Sequence, residues 1–288
     1  MFRKSQENRR EPSFPIVEGR RVTAIASGKG GTGKTWLAAS LAGALAQKGE
    51  RVLLVDGDLA LANVDVQLGL APDADLADIV AGGADFGAAV TPFAGGCDSA
   101  DRAPYGFDVV SGRSGYGALA LLSDEELAGL RRGVLALADH YDRVIVDLGP
   151  GLDRAVTAFC ADANEIIAVL TEDPSAASDS YAMMKVLGYI DRAEAVRVVV
   201  NQAETAKTGR AAAETFAAAC REFLKVEPPL LGVIRRDAKV REAVRAQQAS
   251  WARHALSPAS QDVAAIAKTL RAESVAAEAA AALDAKSA

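Results

Sequence analysis

Val22-Thr23-Ala24-Ile25-Ala26-Ser27-Gly28-Lys29-Gly30-Gly31-Thr32-Gly33-Lys34-Thr35-Trp36 is the stretch from which the fold of this chain is read. Its opening, Val22–Ala26, is a short apolar run of the kind that forms a buried strand. Its end begins Trp36–Lys48, where apolar residues recur at helical spacing until Gly49 stops them. Between the two, Gly28–Thr35 fits G-x-x-x-x-G-K-[ST] in the strand-to-helix setting that gives the pattern its meaning. Glycines let backbone N–H groups close round phosphate oxygens. The helix that follows turns its positive end to the same anion. In such a loop Lys34 neutralises the β- and γ-phosphates, and Thr35 offers its hydroxyl to Mg2+.

The same glycines satisfy a rival pattern. Gly28, Gly30 and Gly33 fit G-x-G-x-x-G, and Asp56 closes the next strand about 20 residues later, where a dinucleotide fold keeps its ribose acid. The Lys34-Thr35 pair decides between them, because a dinucleotide helix has no use for a lysine and a hydroxyl aimed at a terminal phosphate. A nucleoside triphosphate is the expected ligand.

Outward from the loop, Arg51–Val55, Phe107–Val110, Arg143–Val146, Glu165–Leu170, Val196–Val200 and Leu230–Ile234 read as further strands. They alternate with helical patterns over Asp124–Asp139, Arg154–Ala161, Ser175–Ile190, Thr208–Leu224 and Lys239–Gln248. The expected fold is α/β: a doubly wound, mostly parallel sheet flanked by helices on both faces. Gly82–Pro104 is glycine-rich with little periodicity and reads as a surface excursion. The expected organisation is a flexible arm at 1–21, a nucleotide-binding domain at 22–272 and an alanine-rich tail at 273–288, either a frayed helix or disorder.

Acids at strand ends complete the chemistry. Asp147 follows Val144-Ile145-Val146, so it projects from the carboxyl end of a buried strand, where it can hold a magnesium-bound water. Asp56 and Asp58 leave the second strand one residue apart, one to support the metal and one to orient the attacking water. Thr35, Asp56 and Asp147 are thus the expected metal residues. Lys29 is the departure from an ordinary loop, since a residue so early has no obvious phosphate to reach within its own subunit.

Composition narrows the classes. The chain has 288 residues, half of them hydrophobic and 5% aromatic, which suits Ala, Val, Leu and Ile packed on a buried sheet. A net charge of −6 argues against a surface built to coat nucleic acid. Cys97, Cys160 and Cys220 show no CxxC spacing and predict no disulfide framework, which points to the cytoplasm. His140 and His254 are isolated, and Met1–Arg10 is too charged for a secretory signal.

Lys29–Thr35 resembles the deviant Walker A motif of the MinD/ParA family of ATPases, and Asp56–Asp65 resembles that family's second signature. Asp58–Leu70, Thr171–Pro174 and Asp179–Lys185 are most similar to its flagellar branch, the FlhG/FleN regulators of flagellar number and position. The similarity covers most of Arg21–Leu270. It implies ATP/ADP with Mg2+ as ligands, a homodimer when ATP is bound, and slow, dimerisation-dependent hydrolysis. It further implies that Lys29 reaches the partner's ATP, that Lys34 serves the phosphates, that Asp58 positions the water, and that Asn201 reads adenine. Lys29, Lys34 and Asp58 are then the catalytic residues. Partners in flagellar assembly or its transcriptional control follow, with division-site or chromosome and plasmid partitioning ATPases as the alternative.

The sequence departs from the family in several places. Trp36 replaces a small or polar residue, Asp147–Gly151 alters the switch segment, and Arg235 stands where Pro is frequent. The arm lacks the Asp-Gln-Ala-x-x-Leu-Arg element that stimulates an FlhF-type GTPase, so the resemblance does not carry that activity over. The tail Glu273–Ala288 has Lys286 as its only base and no aromatic, which predicts weak membrane binding at most. Arg235, Arg236, Lys239, Arg241 and Arg245 read as a solvated helix face before a DNA patch.

Overall fold

The computed structural model describes residues 21–95, 106–113 and 117–287. The arm before Arg21, Cys97 and the end of the Gly82–Pro104 stretch lie outside the described residues. The chain runs β1 (Val22–Ser27), α1 (Lys34–Ala46), β2 (Val52–Gly57), α2 (Val64–Leu68), α3 (Leu76–Val80), β3 (Val90–Phe93) and β4 (Phe107–Val110). It continues α4 (Asp124–Leu137), β5 (Arg143–Pro150), α5 (Arg154–Asp162), β6 (Glu165–Leu170), α6 (Pro174–Tyr189), β7 (Val196–Ala203) and α7 (Ala206–Leu224). Last come β8 (Leu230–Arg235), α8 (Ala238–Arg245), α9 (Ser250–Arg253) and α10 (Pro258–Ser287).

Eight strands form one sheet in the order β3-β4-β2-β5-β1-β6-β7-β8. β3 lies antiparallel to β4 and the remaining pairs are parallel, as the doubly wound reading expects. All six residues of β1 are buried, because helices cover both faces of the sheet. Its side chains alternate between two cores. Ala24 and Ala26 face Val156 of α5, Met183 of α6 and Phe216 of α7, whereas Ile25 faces Leu37 and Leu41 of α1 with Val263 and Ile266 of α10. α1 is buried nearly all round, which explains its run of Ala and Leu with no charge after Lys34.

β1 and β5 are neighbours, and the chain crosses from β1 to β2 on one side and from β5 to β6 on the other, so a crevice opens at their carboxyl ends. The loop Gly28–Gly33 sits in that crevice.

Two features of the fold go beyond the sequence reading. Part of the Gly82–Pro104 excursion is β3, a four-residue edge strand whose Pro92 pairs opposite Asp108. An edge tolerates the N–H that Pro lacks, and Pro92 is also what hid the strand. The helix α10 runs through 272 without a break, and the start of the alanine-rich segment is fastened to the sheet. Arg143 donates to the Ser274 hydroxyl at 2.8 Å, Arg21 to the Ser274 carbonyl at 3.2 Å, and Arg197 pairs with Glu273 at 2.6 Å.

Candidate functional site

The loop between β1 and α1 is shaped by close approaches that only glycine permits. A Cβ on Gly28 would lie 2.2 Å from the Asp179 carbonyl carbon, so the loop leans on the backbone of α6. Gly33 caps α1 at φ +87°, where a side chain is strained, and its Cβ would meet the Asn201 amide at 2.4 Å. No side chain caps α1, which leaves the N–H groups of its first turn facing the crevice.

From the end of β7, the Asn201 amide donates to the Thr32 carbonyl at 2.8 Å and the Gln202 amide to the Gly31 carbonyl at 3.0 Å. Gln202 holds φ +57° to do so, in the left-handed region that an L-residue seldom adopts. Asn201 also borders a cavity of about 130 Å³ with Trp36, Ile234 and Arg236, beside the loop. Arg235, where the family often has Pro, uses the backbone N–H that Pro lacks: it donates to Asp262 at 3.0 Å, and the guanidinium grips the same carboxylate.

Behind the loop, Lys34 is buried and donates to the Ser27 hydroxyl at 2.9 Å. Burial lowers its pKa, against the opposing charges of Asp147 and Asp58. Parallel register sets Asp147 of β5 beside Ile25 of β1 and Asp56 of β2. Both carboxylate oxygens of Asp147 are buried without a well-formed hydrogen bond. Burial raises its pKa well above the ordinary carboxylate value, Asp56 adds to the rise, and Thr35 and Lys34 oppose it.

Asp56 is occupied differently from what its strand-end position implied. Its carboxylate accepts the backbone N–H of Asp58 at 3.2 Å and those of Asn63 and Val64 at 2.9 Å each. It therefore folds the segment after β2 back on itself, leaving little acceptor capacity for a metal. Burial pushes its pKa up to about 7. Asp58 is held by Leu61, whose N–H donates to it at 3.0 Å, and it packs on Gly149, where a Cβ would sit 3.0 Å from its oxygen.

This donor set fits magnesium. Hard cations take oxygen ligands, and Mg2+ beside phosphates needs only one or two from protein. A buried carboxylate with unused oxygens beside the Thr35 hydroxyl supplies them. No larger cluster of metal-binding side chains stands among the described residues, so a closed protein cage for a metal is not what the site offers. Among the described residues, Cys160 and Cys220 are buried free thiols.

Lys29 lies apart from the other loop cation. Its ammonium donates to Asp173 at 2.9 Å and to the Ser175 hydroxyl, both at the start of α6. Lys29 and Thr171–Pro174 each stand out in the sequence, but nothing in either pattern joins the two across 144 positions.

A glycine loop on an uncapped helix, a buried lysine and an unpartnered strand-end carboxylate together define a P-loop nucleotide-binding domain. The chain belongs to the CobQ/CobB/MinD/ParA nucleotide-binding family, whose model matches residues 23–250. It is 35% identical to "Antiactivator FleN" of Pseudomonas aeruginosa over 86% of this chain and 85% of that one. It is 31% identical to "Flagellum site-determining protein YlxH" of Helicobacter pylori over 78% of this chain and 73% of that one. Among solved structures, the septum site-determining protein MinD of Pyrococcus horikoshii, complexed with Mg-ADP, superposes with a TM-score of 0.70 at 25% identity, covering 87% of this chain and 95% of that one.

Proposed function

We propose that the chain is an ATP-switched, dimerising ATPase that sets flagellar number or placement, with slow hydrolysis acting as a timer. The observation that carries the chemistry is the unpartnered, buried Asp147 carboxylate beside Lys34. Such a pair suits a site completed by a phosphate group and a divalent cation. The biological part rests on the similarity to the FleN and YlxH proteins along most of the chain.

In this reading Gly28–Gly33 and the first turn of α1 bind the phosphates, Lys34 neutralises them, and Asn201 borders the base. Thr35 and Asp147 would hold Mg2+, which when bound supplies positive charge to the phosphate oxygens. Asp58 orients the attacking water from its seat on Gly149, while Asp56 keeps the Asp58-bearing segment in place. Lys29 acts on ATP bound to a partner copy.

Two of the five basic residues near α8 are bound to acids, Arg235 to Asp262 and Lys239 to Glu242, which reduces the charge that patch could offer to DNA. No described helix is long and apolar enough to cross a membrane. Deleting the gene is expected to change flagellar number or position, with septum placement and chromosome segregation normal. The ATP-bound protein is expected to pellet poorly with anionic vesicles and to show little salt-sensitive affinity for random duplex DNA. Minicells or anucleate cells with unchanged flagella would overturn the assignment.

A further inference from the structure

We propose that Trp36 is the aromatic wall of the nucleobase pocket and a specificity-determining residue, favouring purine nucleotides through the contact its ring makes with the base. The inference deepens the reading of Gly28–Thr35 as an ATP site and rests on it.

Lys34, Thr35 and Trp36 open α1 in succession, each turned about 100° from the last. Lys34 reaches the Ser27 hydroxyl at 2.9 Å, behind the phosphate loop. Trp36 instead borders the cavity of about 130 Å³ beside the loop, along with Ile234, Val240 and Ala259. One helical turn thus serves both ends of a nucleotide, with a cation for the phosphates and an indole for the base. Only 7% of Trp36 is exposed, and it belongs to the core that holds Ile234 and Ala259. The wall therefore stands ready, with little side-chain freedom left to lose when a base arrives.

Several polar groups round the cavity are already spent on the protein itself. The Asn201 side-chain oxygen accepts the Gln202 N–H at 2.8 Å, and its amide donates to the Thr32 carbonyl at 2.8 Å. Asp237 accepts the backbone N–H groups of Lys239 at 2.9 Å and Ala259 at 3.3 Å. Arg235 is held by Asp262 at 2.9 Å. Groups so engaged have few hydrogen bonds left for a base, which leaves much of the recognition to the apolar wall. An aromatic ring attracts the π-system of any base, and a purine's two rings cover more of it than a pyrimidine's one.

Trp36→Leu keeps an apolar wall without the ring, and Trp36→Phe keeps a ring. Isothermal titration of the full chain with Mg2+ uses ADP, UDP and inorganic pyrophosphate, which has no base. Trp36→Leu is expected to weaken ADP about three- to tenfold, UDP by less, and pyrophosphate not at all. Trp36→Phe should bind all three as wild type does. Intrinsic fluorescence gives a second readout, because the other tryptophan, Trp251, packs on Phe93 and Phe107 and against Gly43, about two turns further along α1. ADP should change the emission of wild type and leave that of Trp36→Phe unaltered. Equal losses of ADP and pyrophosphate in Trp36→Leu would show a residue that only shapes the loop, and overturn the proposal. So would an ADP response that survives in Trp36→Phe, a comparison that decides even if Trp36→Leu does not fold. A wild-type chain that binds neither ADP nor pyrophosphate overturns the ATP site itself. One that binds both, while Trp36→Leu binds ADP equally well, overturns only the role of Trp36.

Discussion

The Asn201 side-chain amide donates to the Thr32 carbonyl at 2.8 Å, fastening the end of β7 to the tip of the phosphate loop. With the neighbouring Gln202–Gly31 bond, it turns loop carbonyls towards protein donors and leaves the N–H side of those peptides for an anion. Asn201→Ala should lower ADP affinity about tenfold, the cost of one such bond in a buried setting. Isothermal titration with ADP and GDP separates bracing from base reading. Equal losses for both would mean that Asn201 only braces the loop; a larger loss for ADP supports contact with adenine.

The two loop lysines should fail differently. Lys34→Ala removes a buried charge aimed at phosphate, so nucleotide affinity should fall about 10- to 100-fold. Lys29→Ala should bind ADP much as wild type does while hydrolysis and ATP-dependent dimers are lost. Nucleotide titration paired with light scattering reads both. Equal loss of ADP binding in the two variants would place Lys29 on its own subunit's nucleotide.

Asp58→Ala should keep ATP and Mg2+ bound but slow turnover by about 10² or more, since it removes the orientation of water and no phosphate contact. The variant should accumulate as a dimer under saturating ATP. A monomer under those conditions would move Asp58 from hydrolysis to binding.

Asp56 makes stability depend on pH in the nucleotide-free, metal-free protein. Its pKa rises from 3.8 to about 7 on folding, because burial penalises the charged form. The folded state therefore keeps a proton that the unfolded chain gives up. Stability is full below about pH 4 and declines as pH rises towards 7, by at most about 4 kcal/mol. Urea unfolding from pH 4 to 8 should show that decline in wild type and a shallower one in Asp56→Asn. The variant will be less stable overall, having lost an acceptor oxygen, so the slope is the readout. Asp147, raised in the same direction, accounts for what slope persists. Identical slopes in the two proteins would refute the assignment.

What could be read from residues alone followed from how local its cause is. Gly28–Thr35 is contiguous, and the apolar run Val144–Val146 delivers Asp147 to a strand end with no help from elsewhere. The parallel sheet was legible for the same reason, in runs such as Val52–Val55 of β2 that are apolar without interruption. β3 escaped because four residues containing Pro92 carry too little pattern. The bonds of Asp56 to Asn63 and Val64 escaped because an acid at a strand end looks alike whether it faces a metal or its own chain. Asn201 was found by resemblance only. The positive φ of Gln202 beside it, which lets both amides reach the loop, leaves no trace in a sequence of ordinary polar residues.

The bond from Arg21 to the Ser274 carbonyl carries a practical consequence. It brings the residue that enters β1 together with the last helix, at the amino ends of the parallel strands, while the phosphate loop lies at their carboxyl ends. Six residues of β1 span about 20 Å at strand rise, so Arg21 itself stands about that far from the nucleotide face. A fluorophore or an affinity handle there reports on the molecule from its far side. The same separation leaves the nucleotide face unobstructed while the opposite end of the sheet is held by something else.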